Sequence, residues 1–353
     1  MFGVSPKTLG TSMAAAIGVV MLAAPARGLP VSFTTFTTPP PSETGGTIGF
    51  AYAGDKFVGS VQGDGFNILY STDLVGGNRQ VFAPTAFIAP GTDASEHFIA
   101  SSLGIGGFPN RDLYVAQGGG AIHHLSNTGA DLGVFVSGLS GQVRGISFDS
   151  IGTFGGDMLV TTDNGSVYRI NSAGVPTLLA TLGADTEGLD VAPLGAFGPY
   201  SGQLIVVSEG TGRMHAIAPG GGAVDIGVQL FSGPEELTFV PLNLGASGNP
   251  VEGWYGARYT PDVLKADASQ FAGLQGDAVI TLENASTNNM IDVHWNGSTF
   301  IVTTIGSTNG QPEDGLFVTA AVITPGGPAV PEPATLVLLG TGILGAVRMR
   351  RKK

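Results

Sequence analysis

A phrase that returns every 43 to 48 residues constrains this chain more than any other feature. Phe98, Ile146, Leu189 and Leu237 head similar short apolar runs, spaced 48, 43 and 48 residues apart. Each run precedes a hairpin-like unit. Val115–Leu125 is matched 45 residues later by Val160–Ile170. Val207, Gly212, Met214 and Ile217 then fall in the same register after a further 47 residues. Every unit reads as a strand, a glycine turn and a second strand, the pattern of a meander hairpin. Several strands per period of about 40–50 residues mean a β-propeller, because a single blade cannot bury both of its faces and must stack on neighbours.

Starts near residues 50, 98, 146, 189, 237 and 316 predict about six four-stranded blades across 46–323, an all-β fold. The fifth unit is oversized, so 245–276, with Trp254, Tyr255 and Tyr259, reads as a loop insertion. Within it, Pro261–Ala268 is the best non-terminal helical candidate, a turn or two long. The closing blade is expected to combine Leu316–Ile323 with a strand from Val31–Thr38. Residues 27–45 read as an N-terminal strand with a Pro-rich linker and 324–330 as a second linker. The 57 glycines, without a collagen period, suit many tight turns.

The two ends carry targeting signals. Lys7, an apolar run over 13–23 and Ala24-Pro25-Ala26 have the order of a secretory leader, with Ala24 and Ala26 as the small residues of the cleavage site. Residues 1–26 are therefore expected to be removed by signal peptidase. At the other end stand Val330-Pro331-Glu332-Pro333, a 14-residue apolar run over 334–347 and the basic tail Arg348–Lys353. The prolines keep the tetrapeptide extended. The run is brief for a permanent span of about 20 residues and suits transient inner-membrane contact as a short transmembrane helix. The basic tail holds the end in the cytoplasm.

This three-part arrangement over 331–353 resembles the PEP-CTERM sorting signal, which exosortase processes. The resemblance implies cleavage near Pro331, Glu332 and Pro333, and transfer to the cell surface or extracellular matrix of a Gram-negative bacterium that makes exopolysaccharide.

Composition narrows the function classes. No cysteine is present, so disulfides, thiolate metal sites and cysteine nucleophiles are excluded. Between residues 27 and 331, 26 acidic residues face nine basic ones, which rules out nucleic-acid binding by phosphate neutralisation. None of the five histidines has zinc-ligand spacing, and no G-x-S-x-G elbow appears. Asp163-Asn164-Gly165 lacks the further ligands of a calcium loop and reads as a hairpin turn.

The phrase Thr186-Glu187-Gly188-Leu189-Asp190-Val191, followed by Gly202-Gln203-Leu204-Ile205-Val206-Val207, resembles the six-bladed propellers of the gluconolactonase/regucalcin and NHL-repeat type. In phase with Glu187 stand Glu96, Glu235 and Glu313, at equivalent ends of the expected inner strands. Carboxylates converging on one channel mouth repel, and a hard cation such as Ca²⁺ would relieve that. In the lactonase-like relatives a Glu at this step holds a catalytic metal together with an Asn and an Asp. Glu187 matches that Glu, and no Asn or Asp partner is assigned.

Two functions stay open. One is a non-enzymatic surface propeller that binds a polysaccharide or a protein, with Trp254, Tyr255 and Tyr259 as sugar-stacking aromatics. The other is a metal-dependent lactonase-like hydrolase at the acidic mouth.

Overall fold

The computed structural model describes residues 30–41, 45–63, 66–83, 96–231, 233–285 and 287–323. The leader (1–26, with Ala24 and Ala26), the apolar run 334–347 and the sorting tetrapeptide with Pro331, Glu332 and Pro333 lie outside the described residues. Among the described residues no helix is long and apolar enough to cross a membrane.

The described residues form 24 strands in six four-stranded antiparallel sheets. β1 (Thr34–Thr37) is set aside for the closing blade. Blade one is β2 (Gly46–Tyr52), β3 (Phe57–Gly63), β4 (Phe66–Thr72) and β5 (Gln80–Val81). Blade two runs β6 (Ile99–Leu103), β7 (Asn110–Gln117), β8 (Ala121–Leu125) and β9 (Asp131–Val136). Blade three is β10 (Val143–Phe148), β11 (Met158–Thr162), β12 (Ser166–Ile170) and β13 (Pro176–Thr181). Blade four is β14 (Leu189–Val191), β15 (Leu204–Val207), β16 (Arg213–Ile217) and β17 (Ala223–Gln229).

Burial explains these sequences. The second strand of a blade is covered on both faces and reads as a continuous apolar run: Leu204–Val207 is wholly buried. Outermost strands are half-exposed, and Leu132, Val134, Leu178 and Val224 face solvent there. In blade four, glycine is required at the turn between the second and third strands. At Gly212 φ is +68°, and a Cβ would lie 1.9 Å from the Leu230 carbonyl oxygen.

Blades five and six interlace. Blade five begins with β18 (Pro234–Phe239). The chain then leaves for β19 (Gly253–Arg258) and β20 (Val263–Asp267), and returns for β21 (Ala278–Leu282), β22 (Met290–Trp295) and β23 (Phe300–Gly306). Blade six is ordered β24–β19–β20–β1, with β24 (Pro312–Val318) innermost. The segment 245–276 is thus no loop insertion: it supplies the middle hairpin of the closing blade. Nor is 261–268 helical. Val263–Asp267 pairs with both β19 and β1, and only a short 3-10 turn follows at Ala268–Phe271.

The core is divided into clusters between blades. Phe36 of β1 packs edge-on against Tyr255 and Phe57, so the N-terminal strand seals the junction of blades six and one. Hydroxyl groups bridge neighbours. Ser60 accepts the Gly49 N–H at 2.8 Å and donates to the His97 carbonyl of the next blade at 2.7 Å, and Thr161 donates to the Glu187 carbonyl at 2.7 Å. Phe148, Leu189, Val191, Leu237 and Phe239 are buried as the repeat implies, while Ile146 is half-buried and lines the channel.

Candidate functional site

All six innermost strands, β2, β6, β10, β14, β18 and β24, run in one direction around the axis, so their first residues meet at one end of the channel, here called the mouth. The middle and far end form a cavity of about 370 Å³ lined by residues of all six blades, mostly apolar: Phe50, Phe98, Ile146, Phe148, Phe239 and Leu316 among them.

The mouth is acidic with one cation at its centre. Arg144, which opens blade three in phase with Glu187, forms ion pairs with Glu96, with Asp185 at 3.4 Å and with Glu187 at 3.4 Å. Two groups of carboxylates stand beside it. Asp185, Glu187 and Glu209 can bring one oxygen each within 4.8 Å of one another, and so can Glu209, Glu235 and Glu283. Glu209 belongs to both. Glu187 and Glu235 are each 3% exposed, so their charges are removed from bulk water.

Burial is the largest influence on these carboxyls. It lifts Glu187 to about 7 and Asp185 to about 6, against the pull of Arg144. Glu313 is pushed up to about 9 by burial and by the charges of Glu283 and Glu187. Glu235 is held well above the usual carboxylate range by burial and by Glu187. No donor among the described residues reaches Glu187 Oε2, Glu235 Oε2 or Glu313 Oε1. The Glu187 and Glu235 carboxyls can hydrogen-bond each other only when one is protonated. A buried carboxylate oxygen without a donor is costly, and a proton or a hard cation can satisfy it. Each carboxylate trio is an all-oxygen donor set with one buried oxygen that no donor reaches, from Glu187 in one and Glu235 in the other, a chemistry that fits a divalent cation of the Ca²⁺ type.

The structure sorts the four glutamates expected from the sequence. Glu187 and Glu235 come together. Glu313 stands close enough to feel Glu187 and Glu283 but joins neither trio. Glu96 is taken up by Arg144. Asp185, Glu209, Glu283 and Arg144 were not anticipated. A signal for two of them exists: the turn after the buried second strand carries Asp163, Glu209 and Glu283 in three successive blades, and that turn faces the mouth.

Two of the three aromatics expected to stack on sugar are out of reach of a ligand. Trp254 and Tyr255 are 1% and 0% exposed and belong to the core of the closing blade, and only Tyr259 reaches solvent. His97 is buried with Nδ1 2.6 Å from the Ala116 carbonyl oxygen, a position that braces blade two.

No curated protein sequence matches the chain significantly. Among solved structures, a chain of the nidogen/laminin complex superposes with TM-score 0.50 and 17% identity, covering 76% of this chain and 83% of the other. A catalytically inactive variant of virginiamycin B lyase from Staphylococcus aureus, crystallised with quinupristin, does so with TM-score 0.50 and 10% identity, covering 80% and 78%. At such identities the likeness is one of fold. Residues 329–352 match the PEP-CTERM protein-sorting motif. The chain is therefore a β-propeller of six blades, similar in fold to virginiamycin B lyase, that carries a PEP-CTERM signal for export, exosortase processing and surface anchoring in bacteria.

Proposed function

We propose that this protein is a surface-displayed binding propeller, without catalytic activity, whose acidic mouth holds a divalent cation such as Ca²⁺ and engages a polysaccharide or protein partner in the envelope or matrix of a Gram-negative bacterium. Removal of residues 1–26 by signal peptidase precedes sorting in this reading. The observation that carries it is the pair of carboxylate trios sharing Glu209, with the buried oxygens of Glu187 and Glu235 lacking donors. When bound, an ion would be held by Asp185, Glu187 and Glu209 or by Glu209, Glu235 and Glu283, and it would supply positive charge and open coordination positions toward the solvent side. Oxygen-rich partners, such as the carboxylates and hydroxyls of an acidic polysaccharide, suit those positions. Arg144 keeps Asp185 and Glu187 oriented and limits their mutual repulsion.

The second reading, a lactonase-like hydrolase, draws on Glu187. A carboxyl lifted to about 7 beside a carboxyl at about 6 is suited to proton transfer near neutral pH. Co-sedimentation of the purified protein with the host's exopolysaccharide, with and without Ca²⁺, tests the binding reading. Retention that depends on Ca²⁺ and is lost in Glu187→Gln supports it. Turnover of lactones by the wild type, lost in the same variant, replaces it with the hydrolase.

A further inference from the structure

The propeller has two chemically different ends, and the chain leaves from only one of them. β24 starts at the mouth with Pro312 and Glu313 and runs down the channel wall to Val318. Thr319 and Val322 then line the far end of the central cavity. Three contacts fix this exit. The Ala320 N–H donates to the buried Glu252 carboxylate at 2.7 Å, the Val322 N–H donates to the Thr319 carbonyl at 3.0 Å, and the Arg111 guanidinium donates to the Val322 carbonyl. Arg111 is itself buried against the Tyr52 ring, so the last described turn is pinned near the axis and not at the rim.

The distance from that exit to the sorting peptide is bounded by covalent geometry. Eight Cα steps separate Ile323 from Pro331, at most about 29 Å of fully extended chain. Reaching the mouth from outside requires crossing four strands outward, about 14 Å, then climbing a five-residue strand, about 17 Å, and crossing back, about 45 Å in all. The sorting peptide therefore cannot reach the mouth. The carboxylate trios lie at the mouth, the end opposite this exit.

We infer that the anchored protein stands with its far end, the face from which the chain exits, toward the anchoring layer, and with its acidic mouth directed to the medium. Any partner of the mouth then approaches from outside the cell. This orientation rests on anchoring through the C-terminal signal and is independent of whether a cation binds.

The absence of cysteine makes the test direct. Thr211→Cys places a single thiol in the exposed turn beside Glu209 at the mouth, and Ser150→Cys places one in the exposed loop at the far end. Each full-length variant is expressed in its native host. Surface-retained protein is treated on intact cells with a polymer-linked maleimide, and the rate is normalised to that of the same chain after extraction. Because a thiol reacts only where it is accessible, Ser150→Cys should react at least roughly tenfold more slowly than Thr211→Cys on cells. Equal normalised rates, or protection of Thr211→Cys instead, would overturn the orientation. Surface retention is scored separately by fractionation, so a failure of anchoring is recognised as such.

Discussion

The two ends of one channel are built from the same six strands, yet they treat their carboxylates in opposite ways. Asp149, in the loop after β10 at the far end, is fully buried. Its two oxygens accept the N–H groups of Ile151, Gly152, Phe154 and Gly156 at 2.6–3.1 Å. That carboxylate is saturated by its own loop and has nothing left to offer. At the mouth, Glu187 and Glu235 are as deeply placed, but each keeps an oxygen that no donor among the described residues reaches. The difference shows why burial of an acid does not by itself mark a site. What marks it is burial combined with unmet hydrogen-bonding capacity.

This contrast can be broken most forcefully in the apolar part of the channel. Phe239 is 3% exposed and packs edge-on against Phe197 at 4.9 Å. Phe239→Ala should cost about 3–5 kcal/mol in chemical denaturation, by lost burial and an unfilled cavity. Added Ca²⁺ should leave that loss unchanged. A cost below about 1 kcal/mol would mean that the inner strands do not pack as described.

Asp149→Ala comes next. It strands four N–H groups and should destabilise the protein by about 2–4 kcal/mol, again irrespective of Ca²⁺. Arg144→Met acts at the other end. It removes the ion-pair partner of Glu96, Asp185 and Glu187 and should cost about 1–3 kcal/mol at pH 8. At pH 5, where Asp185 and Glu187 are protonated, their share of that cost should vanish. A cost equal at both pH values would place the role of Arg144 in packing.

A last test reads only the direction of the pH dependence of the metal-free protein. Asp185, Glu187 and Glu313 bind protons more tightly when folded, at about 6, 7 and 9, than in an unfolded chain, about 4. Their contribution is fully present below the unfolded value and is lost as pH rises through 6 to 9. The chelator-treated protein should therefore melt higher at pH 5 than at pH 8. A melting temperature that rises with pH would show that the mouth carboxylates are satisfied without proton or cation.

How much of this was legible in the sequence follows from the distance over which each pairing acts. Blades two to four are local meanders, so each leaves a complete phrase in the chain: Phe98, Ile146 and Leu189 mark their inner strands, and Leu237 marks that of the blade that follows. Blades five and six do not. β18 pairs with β21 across an excursion that forms β19 and β20, and these pair in turn with β24 and β1 from opposite ends of the domain. Long-range pairing of this kind leaves no local phrase, and 245–276 therefore read as an insertion. The same limit applies to the site. Glu187 and Glu235 were found through their phase in the repeat. Arg144 holds the same phase with the opposite charge, and only the geometry shows that it draws Glu96 away from the other carboxylates. Glu209 and Glu283 reach the mouth from turns, where the repeat is least regular.

We propose that the unsatisfied carboxylates of the mouth bind a divalent cation. The most direct measurement is the melting temperature of the wild type and of Glu187→Gln at pH 8, titrated with Ca²⁺ after chelation. A cation bound only by the folded chain adds roughly 2.7 kcal/mol at a hundredfold excess over its dissociation constant. At about 2–4 °C per kcal/mol this is a rise of about 5–10 °C for the wild type. Glu187→Gln keeps the shape and removes one charge, so it should melt no lower than the wild type without Ca²⁺ and gain much less from it. A wild type that ignores Ca²⁺, beside a variant that melts higher without it, would contradict the claim and leave the mouth a repulsive, solvated funnel.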